Sequence, residues 1–116
     1  MLARAADSMF WLARYMERMD ALARMMEAAQ LMAGLSNQDE EWRSTLIAAG
    51  CEDAFFAQHD KATPERAALY LGCDRGNPSS ILNCLDQARV NARAMRTALA
   101  LRVRAHRLRC GAVRAR

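Results

Sequence analysis

Apolar residues recur at spacings of three and four along the first 33 residues, which is the period of an α-helix. Neither proline nor glycine interrupts the chain before Gly34. Alanine, leucine, methionine, arginine and glutamate dominate the segment, and all lose little side-chain freedom on a helix. Because Phe10, Trp11 and Tyr15 stand among charges opposite the apolar stripe, we expect a helix covered on both sides at the centre of a bundle. The predicted stripe consists of Ala5, Met9, Leu12, Met16, Met19, Ala23 and Met26.

Three shorter helices follow, and capping residues mark two of them. Ser36 and Asn37 are candidate N-caps for the first of them, and Gly50 suits the position after its last turn. Thr63 and Pro64 supply the cap and the first-turn residue of the third. The predicted segments are 39–49, 52–59 and 64–72.

A long final helix is predicted to begin at Asn77 or Ser79 and to run to Leu101. No stretch alternates with the period of a strand for long. The sequence therefore predicts an all-α fold, an incomplete helical bundle of four or five helices of which 2–33 and 79–101 are the long ones. The stripe of the final helix consists of Ile81, Leu85, Ala88, Ala92, Met95 and Leu99.

Charge divides the chain sharply. Residues 1–86 hold all thirteen acids and eight basic residues, whereas 87–116 hold nine arginines and no acid. We expect residues 1–101 to form the helical domain and 102–116 to form an Arg-rich tail that is disordered or a solvated helix end. Mobile arginines can bind nucleic-acid phosphates, but the tail has no aromatic residue for base stacking, which disfavours that function.

Composition excludes several function classes. No apolar segment approaches the roughly 20 residues that span a bilayer, and charges interrupt any signal-peptide core near the N-terminus. We therefore expect a cytoplasmic protein with no membrane association. The cysteines are spread out without a C-x-x-C pair, so we expect buried free thiols, no metal site and no cofactor. No catalytic triad or dyad can be assembled, and the catalytic residues stay unknown. The cysteines are Cys51, Cys73, Cys84 and Cys110.

Two segments concentrate the polar residues that could carry chemistry. Arg14 and Glu17 lie one helical turn apart, and the aromatic residues beside them favour a partly buried cluster over a solvated ion pair. In the segment 74–80, Arg75 and the start of the following helix could bind an anion such as phosphate. Ordinary helix capping is the simpler interpretation of that second segment.

Both segments resemble the bacterial Alpha-E domain family. The first similarity is residues 5–18, AADSMFWLARYMER, with the family's Glu-Arg pair at Glu17 and Arg18. The second is residues 74–81, DRGNPSSI, followed by ARVNAR at 88–93. The resemblance covers residues 1 to about 98 and implies a longer helical domain. We therefore expect this chain to be an N-terminal fragment whose Arg-rich end differs from the family's continuation, as a frameshifted end of a GC-rich gene would.

The resemblance also implies partners. Alpha-E proteins are associated with a circularly permuted ATP-grasp ligase, a transglutaminase-like cysteine peptidase and sometimes a proteasome-like peptidase. This implies a non-catalytic helical component of a bacterial peptide-modifying system, although association assigns no chemistry to a residue. The alternative is an enzyme subunit that binds a peptide or a phosphorylated ligand at a cluster around Glu17 and Arg75. The expected cluster or interface comprises Asp7, Arg14, Glu17, Arg18, Asp74, Arg75, Asn77, Ser79, Arg89, Asn91 and Arg93.

We expect the polar side chains of the two segments to meet in space. Asp74 would pair with Arg14 or Arg18. Glu17 would pair with an arginine of the second segment, namely Arg75, Arg89 or Arg93.

Overall fold

The computed structural model describes residues 2–35 and 37–114, and in these ranges it contains α-helices and turns but no strand. The predicted all-α fold with two long helices is therefore confirmed. Arg18 lies beside Cys84 while Leu2 lies beside Leu99, so the two long helices run antiparallel. The helices are α1 (Leu2–Met32), α2 (Gln38–Ala48), α3 (Glu52–Phe56), α4 (Pro64–Gly72) and α5 (Ile81–Arg114).

Helices α2 and α4 begin where their predicted capping residues indicated. Asn37 accepts the backbone N–H of Asp39 at 3.1 Å, and Thr63 accepts a backbone N–H of the first turn of α4. Gly50 follows α2 with a φ of +74°, a conformation that glycine adopts without a steric penalty. Ser36, the other predicted cap, lies outside the described residues.

Residues 19–84 form a compact head, in which the second half of α1 packs against α2, α4 and the start of α5, while α3 packs against α2. Phe55 lies at its centre with no exposed surface. Its ring meets those of Phe56 and Tyr70 edge-on at 5.2 Å and stacks on His59 at 4.6 Å. The buried core consists of Leu22, Ala29, Trp42, Leu46, Phe55, Ala62, Ala67, Tyr70 and Leu71.

Residues 2–18 and 85–111 form a two-helix stalk that projects from the head. The molecule measures 75 × 27 × 18 Å, and its radius of gyration of 20.8 Å well exceeds the roughly 13 Å of a compact chain of about this length. The prediction that α1 is covered on both sides is wrong in the stalk, because Phe10 and Trp11 are exposed there. The α1 side chains that are at least half-buried against α5 are Ala5, Ser8, Leu12, Tyr15 and Met19.

Both ends of the final helix differ from the prediction. It begins at Ile81 because residues 77–80 form a turn in which Ser80 caps the helix. It continues past Leu101 to Arg114, since alanine, leucine and arginine all favour helix. Residues 102–111 are therefore an exposed helical extension of α5.

Candidate functional site

The loop between α4 and α5 is held by its own polar side chains. The buried side chain of Asn77 donates a hydrogen bond to the carbonyl of Tyr70 and accepts the N–H of Ser79, both at 3.1 Å. Asp74 accepts the N–H of Gly76 at 2.8 Å. The predicted site residues Asp74, Asn77 and Ser79 are therefore engaged in shaping this turn, which favours helix capping over an anion site.

Two residues that the sequence did not single out complete the loop. Asn83 donates to the carbonyls of Asn77 at 2.7 Å and Arg75 at 3.1 Å, and its own N–H is accepted by Ser80 at 3.2 Å. Asp86 forms an ion pair with Arg75. The position of Asn83, three residues after the cap, is one from which a side chain commonly reaches back, and this signal could have identified it. The pairing of Arg75 with Asp86, across eleven positions, has no such signal.

The first segment, residues 5–18, reaches the loop between α4 and α5 through one residue. The guanidinium of Arg18 lies beside the thiol of Cys84, which is fully buried and also contacts the carbonyl of Ser79 at 3.7 Å. Burial raises the pKa of the Cys84 thiol, and Arg18 offsets part of that rise by favouring the thiolate. The two segments thus meet, but through Arg18 and Cys84 and not through the predicted ion pairs.

The expected burial of the first segment is wrong. Asp7, Arg14, Glu17 and Arg18 are all exposed. Each residue turns a helix by about 100°, so Glu17 and Arg18 cannot point the same way, and Glu17 lies on the side of α1 away from α5.

The predicted ion pairs between the segments are also wrong. Among residues 2–35 and 37–111, no ion pair joins Glu17 to an arginine or Asp74 to Arg14 or Arg18. Arg89 and Arg93 are exposed. Asn91 is half-buried and donates to the carbonyl one turn earlier on its own helix at 2.8 Å. Ion pairs do form elsewhere among the described residues, including Asp20–Arg24, Arg43–Glu52 and Arg75–Asp86.

The four cysteines are free, as expected, but only partly buried. Cys84 is buried and Cys51 half-buried, whereas Cys73 and Cys110 are exposed, which corrects the prediction for the last two. Burial also raises the pKa of Cys51. The pKa of Tyr70 is raised by burial first and then by the nearby charges of Cys51 and Asp74.

One cysteine lies beside a histidine, an arrangement that was not predicted from the sequence. The Cys110 sulfur lies 3.6 Å from the His106 ring one turn earlier, with both side chains exposed on the helical extension. In the part of the chain that is described, no three His, Cys, Asp or Glu side chains are grouped to hold a metal ion.

The fold and these contacts define an all-α domain whose two motifs form the joint between a compact head and a projecting stalk. Residues 1–104 match the profile of the Alpha-E family, a predicted alpha-helical domain with a conserved ER motif. The chain therefore belongs to the Alpha-E family, which confirms the resemblance. Comparison with curated proteins and with solved structures gave no match. None of the described helices is long and apolar enough to cross a membrane.

Proposed function

We propose that this protein is a non-catalytic helical component of a bacterial peptide-modifying system that works with an ATP-grasp ligase and a transglutaminase-like peptidase, or with a proteasome-like peptidase. The observation that carries the proposal is the stalk, where both long helices keep large apolar side chains exposed. Met9 is 55% exposed, Phe10 56% and Leu99 48%. Contiguous exposed apolar surface on a soluble protein commonly marks a protein–protein contact.

The joint between head and stalk also supports a non-catalytic role. Arg75 is paired with Asp86, and Asn77 and Asn83 hold the turn, so these polar groups already have partners within the chain. We also propose a cytoplasmic location, which the four free cysteines support, because thiols usually stay unpaired in a reducing compartment.

The alternative of an enzyme subunit with a ligand at Glu17 and Arg75 has less support. Arg75 contacts Asn83 and Asp86, and Glu17 lies on the side of α1 away from α5. The two side chains therefore do not converge on one ligand. Nucleic-acid binding through the exposed arginines of 102–111 is the weaker alternative, supported by charge alone.

Co-purification from the native bacterial cell tests the proposal. We expect an ATP-grasp ligase or a peptidase of the two named types to be captured by the tagged full chain and identified by mass spectrometry. Leu99→Glu should reduce capture, whereas Leu69→Glu, an exposed leucine of the head, should not. If neither enzyme is captured under cross-linking conditions, the proposal is wrong.

A further inference from the structure

One side of the stalk carries exposed apolar side chains from both helices. On α1, Leu2, Met9 and Met16 are spaced by seven residues, and on α5, Leu99 and Val103 lie one turn apart. Their exposed fractions lie between 48% and 62%. These five residues form the stalk face.

The five side chains share one side of the stalk. At about 100° per residue, those of α1 lie about 80° around the helix from the stripe that packs on α5. Leu99 and Val103 lie about 80° from the corresponding stripe of α5, in the same rotational sense. Because the two helices are antiparallel, equal rotations in the same sense place both sets on the same side.

The stalk face is the unused part of a broad apolar surface. Met9 and Met16 belong to the periodic stripe of α1, but α5 packs instead on a stripe that includes Ser8 and Tyr15. At the tip, an apolar groove of about 270 Å³ continues from the face. The groove is lined by Leu2, Ala5, Ala98, Leu99, Leu101, Arg102 and Ala105.

Charge indicates which partner fits. Residues 85–111 carry seven arginines and one acid, and residues 2–18 three arginines and two acids, so the stalk has a net charge of +7. Arg89 and Arg96 lie at the outer edge of the stalk face by their helical positions. A second copy would bring two stalks of +7 together, whereas a partner with acidic flanks would gain from the same arginines.

We propose that the stalk face binds an amphipathic helix of a partner protein, whose apolar stripe is flanked by Asp and Glu. A helix laid on such a face uses apolar anchors at i, i+3, i+4 and i+7, and the tip groove would take one of them. This deepens the proposed function, on which it rests only for the identity of the protein that supplies the helix. A nucleic acid would gain nothing from the exposed leucines and methionines.

Two synthetic peptides test the inference. One is a helical peptide with leucines at heptad positions a and d and glutamates at the flanking positions, and the other replaces each glutamate by lysine. Fluorescence anisotropy with the full chain should show binding of the acidic peptide, weakening with added salt, and much weaker binding of the basic one. Equal affinity for the two peptides would overturn the charge argument.

Matched variants locate the binding site. Leu99→Glu should lower the affinity for the acidic peptide by about tenfold or more. Leu69→Glu in the head and Val90→Glu on the opposite side of the stalk should leave that affinity unchanged. Arg96→Glu should lower affinity for the acidic peptide and raise it for the basic one, which a loss of folding could not do. Circular dichroism of each variant verifies that it is folded. No effect of Leu99→Glu would overturn the proposal.

Two further outcomes would replace the partner. A dimer by light scattering that Leu99→Glu dissociates would make a second copy the occupant. Binding of a random oligonucleotide that is tighter than that of the acidic peptide and insensitive to Leu99→Glu would assign the arginines to nucleic acid. If the enzymes still co-purify with Leu99→Glu, this inference fails while the proposed function stands. If the acidic peptide binds but no enzyme co-purifies, the proposed function fails while this inference stands.

Discussion

The head and the stalk each contain part of α1, but the apolar side chains of this helix are more deeply buried in the head. In the head, Leu22 and Ala29 of α1 are buried beneath α2 and α4, whereas Met9 and Met16 of the same helix are about half exposed in the stalk. The periodicity of the helix is the same in both halves. What differs is the number of neighbouring helices, because α2 and α4 pack only against the second half of α1. An apolar stripe thus predicts a face that needs a partner without saying whether this chain supplies it.

Charge separates the same two regions. The head, residues 19–84, holds ten acids and five basic residues, whereas the stalk has a net charge of +7. The chain's net charge of +4 therefore describes neither region. Electrostatic properties such as adsorption to anionic surfaces should follow the stalk alone.

The largest contrast is expected from removing one phenylalanine in each region. Phe55→Ala should lower the free energy of unfolding by about 3–5 kcal/mol, because it empties a fully buried site. Phe10→Ala, at a site that is 56% exposed, should change it by about 0.5 kcal/mol or less. Urea denaturation followed by circular dichroism measures both, and similar losses would contradict the division into head and stalk.

The joint between the regions should be of intermediate sensitivity. Asn83→Ala removes the side chain that bonds the carbonyls of Asn77 and Arg75, and should cost about 0.5–1.5 kcal/mol, the usual contribution of a hydrogen bond, because the Asn77 carbonyl still accepts the N–H of Ser80. Asn91→Ala, whose side chain bonds only within its own helix, is the matched control and should cost less. Hydrogen exchange should also quicken at the first turn of α5 in Asn83→Ala alone.

The pH dependence of stability should report the buried thiol. Because the pKa of Cys84 is raised above its ordinary value of 9.0, its contribution is fully present below that pH. It is lost as pH rises through the native pKa, since the unfolded thiol ionises first. Between about pH 8 and 11, the free energy of unfolding should therefore fall less steeply with pH in Cys84→Ala than in the wild type. Cys51 and Tyr70, whose pKa values are also raised, should supply the slope that remains in Cys84→Ala.

Thiol labelling distinguishes the regions without denaturant. Cys73 and Cys110 are exposed and should react first with an alkylating reagent, while Cys84 should react only on opening of the joint. Mass spectrometry of partially labelled protein gives the order. Early labelling of Cys84 would contradict the packing of α1 on α5.

The smallest effect is expected at Glu17. Its carboxylate is exposed and forms no ion pair among the described residues, so Glu17→Ala should change stability by less than about 0.5 kcal/mol. A loss of about 3–5 kcal/mol would instead indicate a covered charge pair. Asp86→Ala, which unpairs Arg75, is the comparison and should cost more.

Local structure follows from residues that are neighbours along the chain. Each of the five predicted helices forms, because helix propensity and capping depend on residues within one turn of each other. Asn37 and Thr63 cap the helices that they were predicted to cap, and Gly50 takes the positive φ predicted after α2. The capping role of the 74–80 loop was likewise the simpler interpretation of its residues. The separation of charge is also visible without a structure, since it follows the order of residues alone.

The rotation of the helices relative to each other depends instead on packing between residues far apart in the sequence. The apolar arc of α1 is wider than one neighbour covers, so periodicity cannot say whether α5 packs on Met9 and Met16 or on Ser8 and Tyr15. That rotation places Arg18 beside Cys84 and leaves Glu17 in solvent, which is why the predicted ion pairs do not form. The pairing of Arg75 with Asp86 depends in the same way on the path of a loop and not on a period along the chain.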